Sequence, residues 1–179
     1  MRVCLWVALL GACSSPARET GADKPVGTDS ADSGAPLGPC TAGTPELVVN
    51  HHESGGYHVI SDGDTVRLVH GIQGGWHIES AVDVTVLHTD AFMRVTGTDV
   101  DTGHTFCTIQ THVRLTGDSD CGGQSPETLC IAEDLGPLEA DGTVGEALDG
   151  RTVDLTVLVV DAADVSVEQT LTITLDSDP

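Results

Sequence analysis

The sequence predicts an all-β domain, and three observations lead there. Apolar residues recur at every second position over long stretches between Glu46 and Leu175. Valine, threonine, glycine and aspartate abound while aromatic residues make up 3% of the chain. Asp-Gly pairs punctuate the alternation at Asp62-Gly63, Asp141-Gly142 and Asp149-Gly150. A period of two is that of a pleated strand with one buried face, β-branched residues pack well on such a surface, and Asp-Gly supplies its turns.

Taken in order, the first strand is expected at Glu46 to Asn50 and the second at Thr65 to His70, entered through Asp62-Gly63-Asp64. From Trp76 to His88, Trp76, Ile78, Val82, Val84 and Val86 alternate with His77, Glu79, Asp83 and Thr85. Phe92 to Val100 is the next strand, followed by Thr105 to Leu115, where Cys107, Ile109, Val113 and Leu115 share a face opposite Thr108, Gln110, His112 and Arg114. A closing hairpin puts Val153, Leu155, Val157 and Val159 on one strand. After the turn Asp161-Ala162-Ala163-Asp164, it puts Val165, Val167, Leu171, Ile173 and Leu175 on the other. The three Asp-Gly segments are read as turns feeding strands and not as a repeat, because the stretches that follow them differ. About seven strands in this length imply an immunoglobulin-like β-sandwich. Fold alone supplies no function.

Upstream of the sandwich, Arg2 precedes a short apolar run from Val3 to Leu10 and the tetrad Leu10-Gly11-Ala12-Cys13. A run of about ten residues is too short for a hydrocarbon core that needs roughly 20, so it reads as the h-region of an export signal. The tetrad resembles the lipobox of bacterial lipoproteins. That resemblance implies that Cys13 carries a diacylglycerol and becomes the N-terminus, and that Ser14 directs sorting to the outer membrane. Two or three acyl chains, at about 0.8 kcal/mol per buried CH₂, hold a protein to a bilayer without any membrane-binding surface of its own. The expected organisation is a signal peptide at 1–12, a lipidated N-terminus and disordered linker at 13–44, and the β-sandwich at 45–179. The linker is rich in serine, aspartate, glycine and proline and lacks the apolar residues needed to order itself.

With 7 Lys and Arg against 28 Asp and Glu, the formal net charge is −21. Such a surface repels nucleic acid and anionic headgroups, so the membrane is met only through the lipid; partners are expected to be cationic, metallic or neutral. Neighbouring copies repel as well, which points to a monomer.

Of 6 cysteines, Cys4 leaves with the signal and Cys13 is lipidated. Cys40, Cys107, Cys121 and Cys130 remain, and an even number in an oxidising compartment predicts two disulfides. The preferred pairing is Cys121 with Cys130, closing a short loop, and Cys40 with Cys107.

The least generic segment runs from His70 to Ile78. Its Gly71, Gln73, Gly74, Gly75 and His77, preceded by Asp62-Gly63-Asp64-Thr65-Val66, resemble a segment of exported lipoproteins of myxobacteria and their relatives. No activity comes with that resemblance. Gln73, Gly74, Gly75, Trp76 and His77 are candidate ligand-loop residues, with His77 on a polar face beside Glu79; the alternative is a tight glycine loop satisfying its own backbone. Imidazoles suit copper and zinc, which makes His51, His52, His58, His70 and His77 candidate metal ligands if their two stretches are neighbours. Calcium is the competing ion, at Asp99-x-Asp101-x-Gly103 or Asp118-x-Asp120-x-Gly122. Neither continues as an EF-hand, because Gln110 and Leu129 stand where a bidentate glutamate is required.

Catalytic motifs are absent in the forms that chemistry needs. Gly117 to Gly123 places two residues too many between serine and glycines for a trypsin-like nucleophile, and His52 to His58 is not H-E-x-x-H and carries paired glycines that break a helix. The expectation is a non-enzymatic, lipid-anchored binding or structural module of the outer membrane. It would stand on the periplasmic face or the cell surface, with a copper, zinc or calcium-binding lipoprotein as the alternative and a hydrolase third.

Overall fold

The long strand Trp76–His88 organises the architecture, because it is the one to which four other strands pair. The computed structural model describes residues 40, 43–53, 55–72, 74–118, 120–138 and 143–177. Cys13 and the anticipated signal peptide and linker up to residue 39 lie outside them, as does Gln73. The strands are β1 (Leu47–Glu53), β2 (Gly56–Val59), β3 (Thr65–His70), β4 (Trp76–His88), β5 (Asp90–Asp99), β6 (Thr105–Arg114), β7 (Cys121–Gln124), β8 (Thr128–Ile131), β9 (Thr152–Asp161) and β10 (Ser166–Asp176). The fold is all-β, with one helix of five residues, α1 (Val144–Leu148), and a 3₁₀ turn at Gly136–Leu138 among the described residues. All seven anticipated strands are present. β2, β7 and β8 are additional, each four residues long and too short to display an alternating pattern.

The strand order is β2-β1-β4-β3-β10-β9-β5-β6, with β7 and β8 also on β4. The first half of β4 is held by β3 and β8, the second by β1 and β7. β3 passes the sheet from one partner to another. Thr65 to Arg67 run parallel to Thr174 to Asp176 of β10, while Leu68 to His70 pair antiparallel with β4. The Asp62-Gly63-Asp64 turn is fastened to β10 at this point: Thr172 N–H donates to Asp62 Oδ1 at 2.8 Å and Thr174 N–H to the Asp64 carbonyl at 2.9 Å.

The curled sheet encloses a single core. Val153, Leu155, Val157 and Val159 of β9 are wholly buried, as alternation requires, together with Ile173 and Leu175 of β10, Met93 and Val95 of β5, and Ile78 and Val82 of β4. Complete burial of such side chains stabilises by roughly 1.5–3 kcal/mol each. Alternation fails at one place in β4. Val86 adopts φ 64°, the register to β7 shifts there, and the next inward residue is Leu87 and not Val86. A bulge of this kind inserts one residue and reverses the facing of everything after it. Gly122 of β7 approaches so closely that a Cβ would stand 2.5 Å from the Val84 carbonyl oxygen, which accounts for the glycine pair that superficially resembled a protease motif.

Two expectations are corrected here. The disulfides are Cys40–Cys121 and Cys107–Cys130, not Cys121–Cys130 and Cys40–Cys107. Cys121 stands opposite His88 and Cys130 opposite Ile78, so they occupy the two ends of β4, roughly 30 Å apart at about 3.3 Å per residue. Nearness in sequence is cancelled by pairing to different halves of one long strand. The second correction concerns Thr143-Val144, which leads into α1 and not a strand. Thr143 Oγ1 accepts from Glu146 N–H while Glu146 Oε2 accepts from Thr143 N–H, a capping box that starts the helix.

Candidate functional site

Because Val66 and Leu68 of β3, Ile78 of β4 and Cys130 of β8 point into the core, their alternates face away from it. Arg67, Val69, His77, Glu79, Leu129 and Ile131 thereby share the outer face of β3, β4 and β8. This face holds a cleft of about 450 Å³ whose walls are Val69, Leu129 and Ile131, closed at one end by His70, Gly71, Ile72 and Gly75 and polar at His77 and Glu79. A second cleft of about 350 Å³, lined by His52, Glu53, Arg67, Val69 and Glu79, shares Val69 and Glu79 with the first. The two therefore adjoin.

The glycine segment builds one end of this surface. Gly71 N–H donates to the Gly75 carbonyl at 2.7 Å and Gly74 N–H to the Gly71 carbonyl at 2.9 Å, with Gly74 at φ 91°. A side chain at position 71 would place its Cβ 3.2 Å from the His77 ring, so the glycine makes room for the imidazole. His77 is not the exposed residue that its position beside Glu79 suggested. It is 7% exposed, with Nε2 3.4 Å from Glu79 Oε1. Trp76 is partly buried. It packs on the core with its ring against α1, where a Cβ on Gly145 would lie 2.6 Å from Trp76 Cζ2, and its other neighbour is His70 at 4.9 Å between ring centroids. Gly74 is in the turn and Gly75 lines the cleft.

The five candidate histidines do not form one centre. His51 and His58 are cross-strand neighbours in the β1–β2 hairpin, 6.1 Å apart by ring centroid, and His51 Nε2 is 3.6 Å from Glu53 Oε1. His52 alternates to the opposite face, against Tyr57, and reaches the second cleft. There one ligand atom from each of His52, Glu79 and Glu127 lies within 4.8 Å of the other two. Glu79 was visible beside His77 by parity, whereas Glu127, in the connection from β7 to β8, belongs to no pattern. A further group, Cys40, Cys121 and His88, gathers around the first disulfide with His88 Nδ1 3.4 Å from Cys40 Sγ. Its sulfurs are bonded to each other and do not offer thiolates.

Asp99 has a structural role in this fold. Its Oδ1 accepts from the Thr102 N–H at 2.9 Å and from the Thr102 hydroxyl at 2.7 Å, and its Oδ2 accepts from Arg151 Nη1 at 3.2 Å. Burial pushes its pKa up, but the Thr102 hydrogen bonds and the Arg151 guanidinium outweigh burial and hold it below the usual carboxylate value. Both oxygens therefore have partners within the fold.

No model of a known protein family matches the chain, and no curated protein matches it.

Proposed function

We propose that this chain is a lipid-anchored protein of the outer membrane that acts as a non-enzymatic binding module, presenting the outer face of β3, β4 and β8 to its ligand. The anchor rests on the lipobox resemblance at Leu10 to Cys13. The two disulfides support an oxidising compartment. The parallel pairing of β3 with the last strand supports an immunoglobulin-like arrangement, in which an early strand lies beside the final one. One observation carries the binding reading: apolar Leu129, Ile131 and the fully exposed Ile72 surround a cleft whose polar end is the His77–Glu79 pair. A few polar groups converging among apolar walls are what orient a small ligand. With a net charge of −21, that ligand is cationic or neutral, with an apolar portion against Val69 and Ile131.

Two measurements test the reading. An alkylammonium probe titrated into methyl-labelled protein is expected to shift the Val69, Leu129 and Ile131 resonances and to lose that effect in Ile131→Asp; shifts scattered over the surface, or unchanged in the variant, would remove the cleft from consideration. For the anchor, Cys13→Ser is expected to move the protein from the membrane pellet to the soluble fraction. Continued pelleting would mean that another surface holds it.

A further inference from the structure

We propose that His52, Glu79 and Glu127 form a binding site for a zinc-class divalent cation. The site goes beyond the cleft reading and does not need it, since His52 and Glu127 lie outside the 450 Å³ cleft. Three chain segments remote in sequence converge on it through strand register. Asn50 of β1 stands opposite Ala81 of β4, so continuing that antiparallel register by two residues puts His52 opposite Glu79. On the other edge of β4, Thr128 pairs with Ser80, which brings Glu127 level with Ala81 and diagonal to Glu79. Ala81, between them, has too short a side chain to separate the three.

The donor set identifies the class of ion. One imidazole nitrogen and two carboxylate oxygens, mutually within 4.8 Å, are the ligands of a zinc site that keeps its fourth position open. Bonds of about 2.0–2.2 Å in tetrahedral geometry put ligand atoms roughly 3.3–3.5 Å apart. The approach needed is therefore at most about 1.5 Å, which exposed His52 and Glu127 can supply by rotation while Glu79, 19% exposed at its side chain, stays fixed. Calcium favours six to eight hard oxygen ligands and gains little from an imidazole.

Two further observations point the same way. Among the described residues neither Glu79 nor Glu127 forms an ion pair with lysine or arginine. Arg67, which lines the adjoining cleft with His52, Glu53 and Glu79, offsets part of the negative charge without pairing with either ligand. Behind the site, buried His77 sets the orientation of Glu79 through Nε2, 3.4 Å from Oε1. A hydrogen-bond partner behind a ligating carboxylate is the usual outer support of a metal site, and its loss weakens binding by about 10–100-fold. His77 is thus a positioning residue and not a ligand.

Calorimetric titration of the metal-stripped full chain in detergent with zinc chloride, paired with thermal unfolding, is the test. The expected result is one zinc per chain, a raised unfolding temperature, and at least a tenfold loss of affinity in His52→Ala and in Glu127→Gln, with His77→Gln also weakening binding. Glu127→Gln changes an exposed side chain, so its metal-free unfolding temperature should match the parent and separate loss of binding from loss of fold. Absence of heat and of any zinc-dependent stabilisation would overturn the proposal. So would zinc binding undiminished in the His52→Ala/Glu127→Gln double variant, or binding of calcium in preference to zinc.

Discussion

Replacing Cys107 and Cys130 together by alanine is expected to lower the unfolding midpoint by roughly 10–15 °C. The disulfide spans a sequence separation of 23, and a cross-link closing a loop of that length stabilises by roughly 3–3.5 kcal/mol in the chain-entropy treatment. Its placement adds to the effect. β6 ends the strand order and β8 hangs on β4, so the bond ties together two parts of the curled sheet that no backbone ladder joins. Cys107 and Cys130 are both buried, and alanine avoids placing an unpartnered hydroxyl among Val95, Phe106 and their neighbours. Thermal unfolding of the double variant measures the effect. Non-reducing peptide mapping of the parent should recover Cys40 linked to Cys121 and Cys107 linked to Cys130; a Cys121–Cys130 peptide would contradict the register of β4.

Asp99→Asn is expected to destabilise by roughly 2–4 kcal/mol at neutral pH, as when one partner of a largely buried ion pair is neutralised. The Asp99 carboxylate, 1% exposed, is the junction of three segments. It closes the turn through Thr102, and through Arg151 it holds the start of β9, where Arg151 Nε also donates to the last turn of α1 at Ala147 O, 2.7 Å away. An amide keeps the shape, loses the charge, and presents a donor to a guanidinium that needs an acceptor. The sign of the pH dependence follows from the depressed pKa. An unfolded aspartate titrates near 3.9, so the extra stability is fully present above about pH 4–5 and is lost as pH falls through the lower folded value. The gap between parent and variant in urea midpoint should therefore narrow on acidification below about pH 4. A gap that stays constant to about pH 2 would show that the ionised state of Asp99 is not the source of the effect.

How far the site could be read from the chain varies residue by residue. Alternation located β4 and assigned Ile78 and Val82 inward and His77 and Glu79 outward, all of which holds. It overestimated the exposure of His77, because the nearness of Gly71 and the flanking strands is not a property of His77's own strand. It joined His51, His52 and His58 because they are close in sequence, whereas adjacent strand residues point to opposite faces and only His52 meets Glu79 and Glu127. Of the Asp-Gly segments that looked alike, two are among the described residues and they serve different ends: Asp62-Gly63 is a turn fastened to β10, and Asp149-Gly150 is the exit from α1.

By itself the sequence determined the all-β class, seven strands, the inward face of β4 as far as Val84 and most of those of β6, β9 and β10, the expectation that four cysteines pair, and a strongly negative surface, because each follows from local period, turn chemistry or composition. Which cysteines pair, that Glu127 joins His52 and Glu79, and that Asp99 is satisfied by Arg151 were decided only in the folded molecule. These depend on which edge of β4 each later segment takes and in what register. Side-chain period repeats every two residues, so many registers satisfy the same pattern, and the choice among them is made by contacts between segments 23 to 81 residues apart.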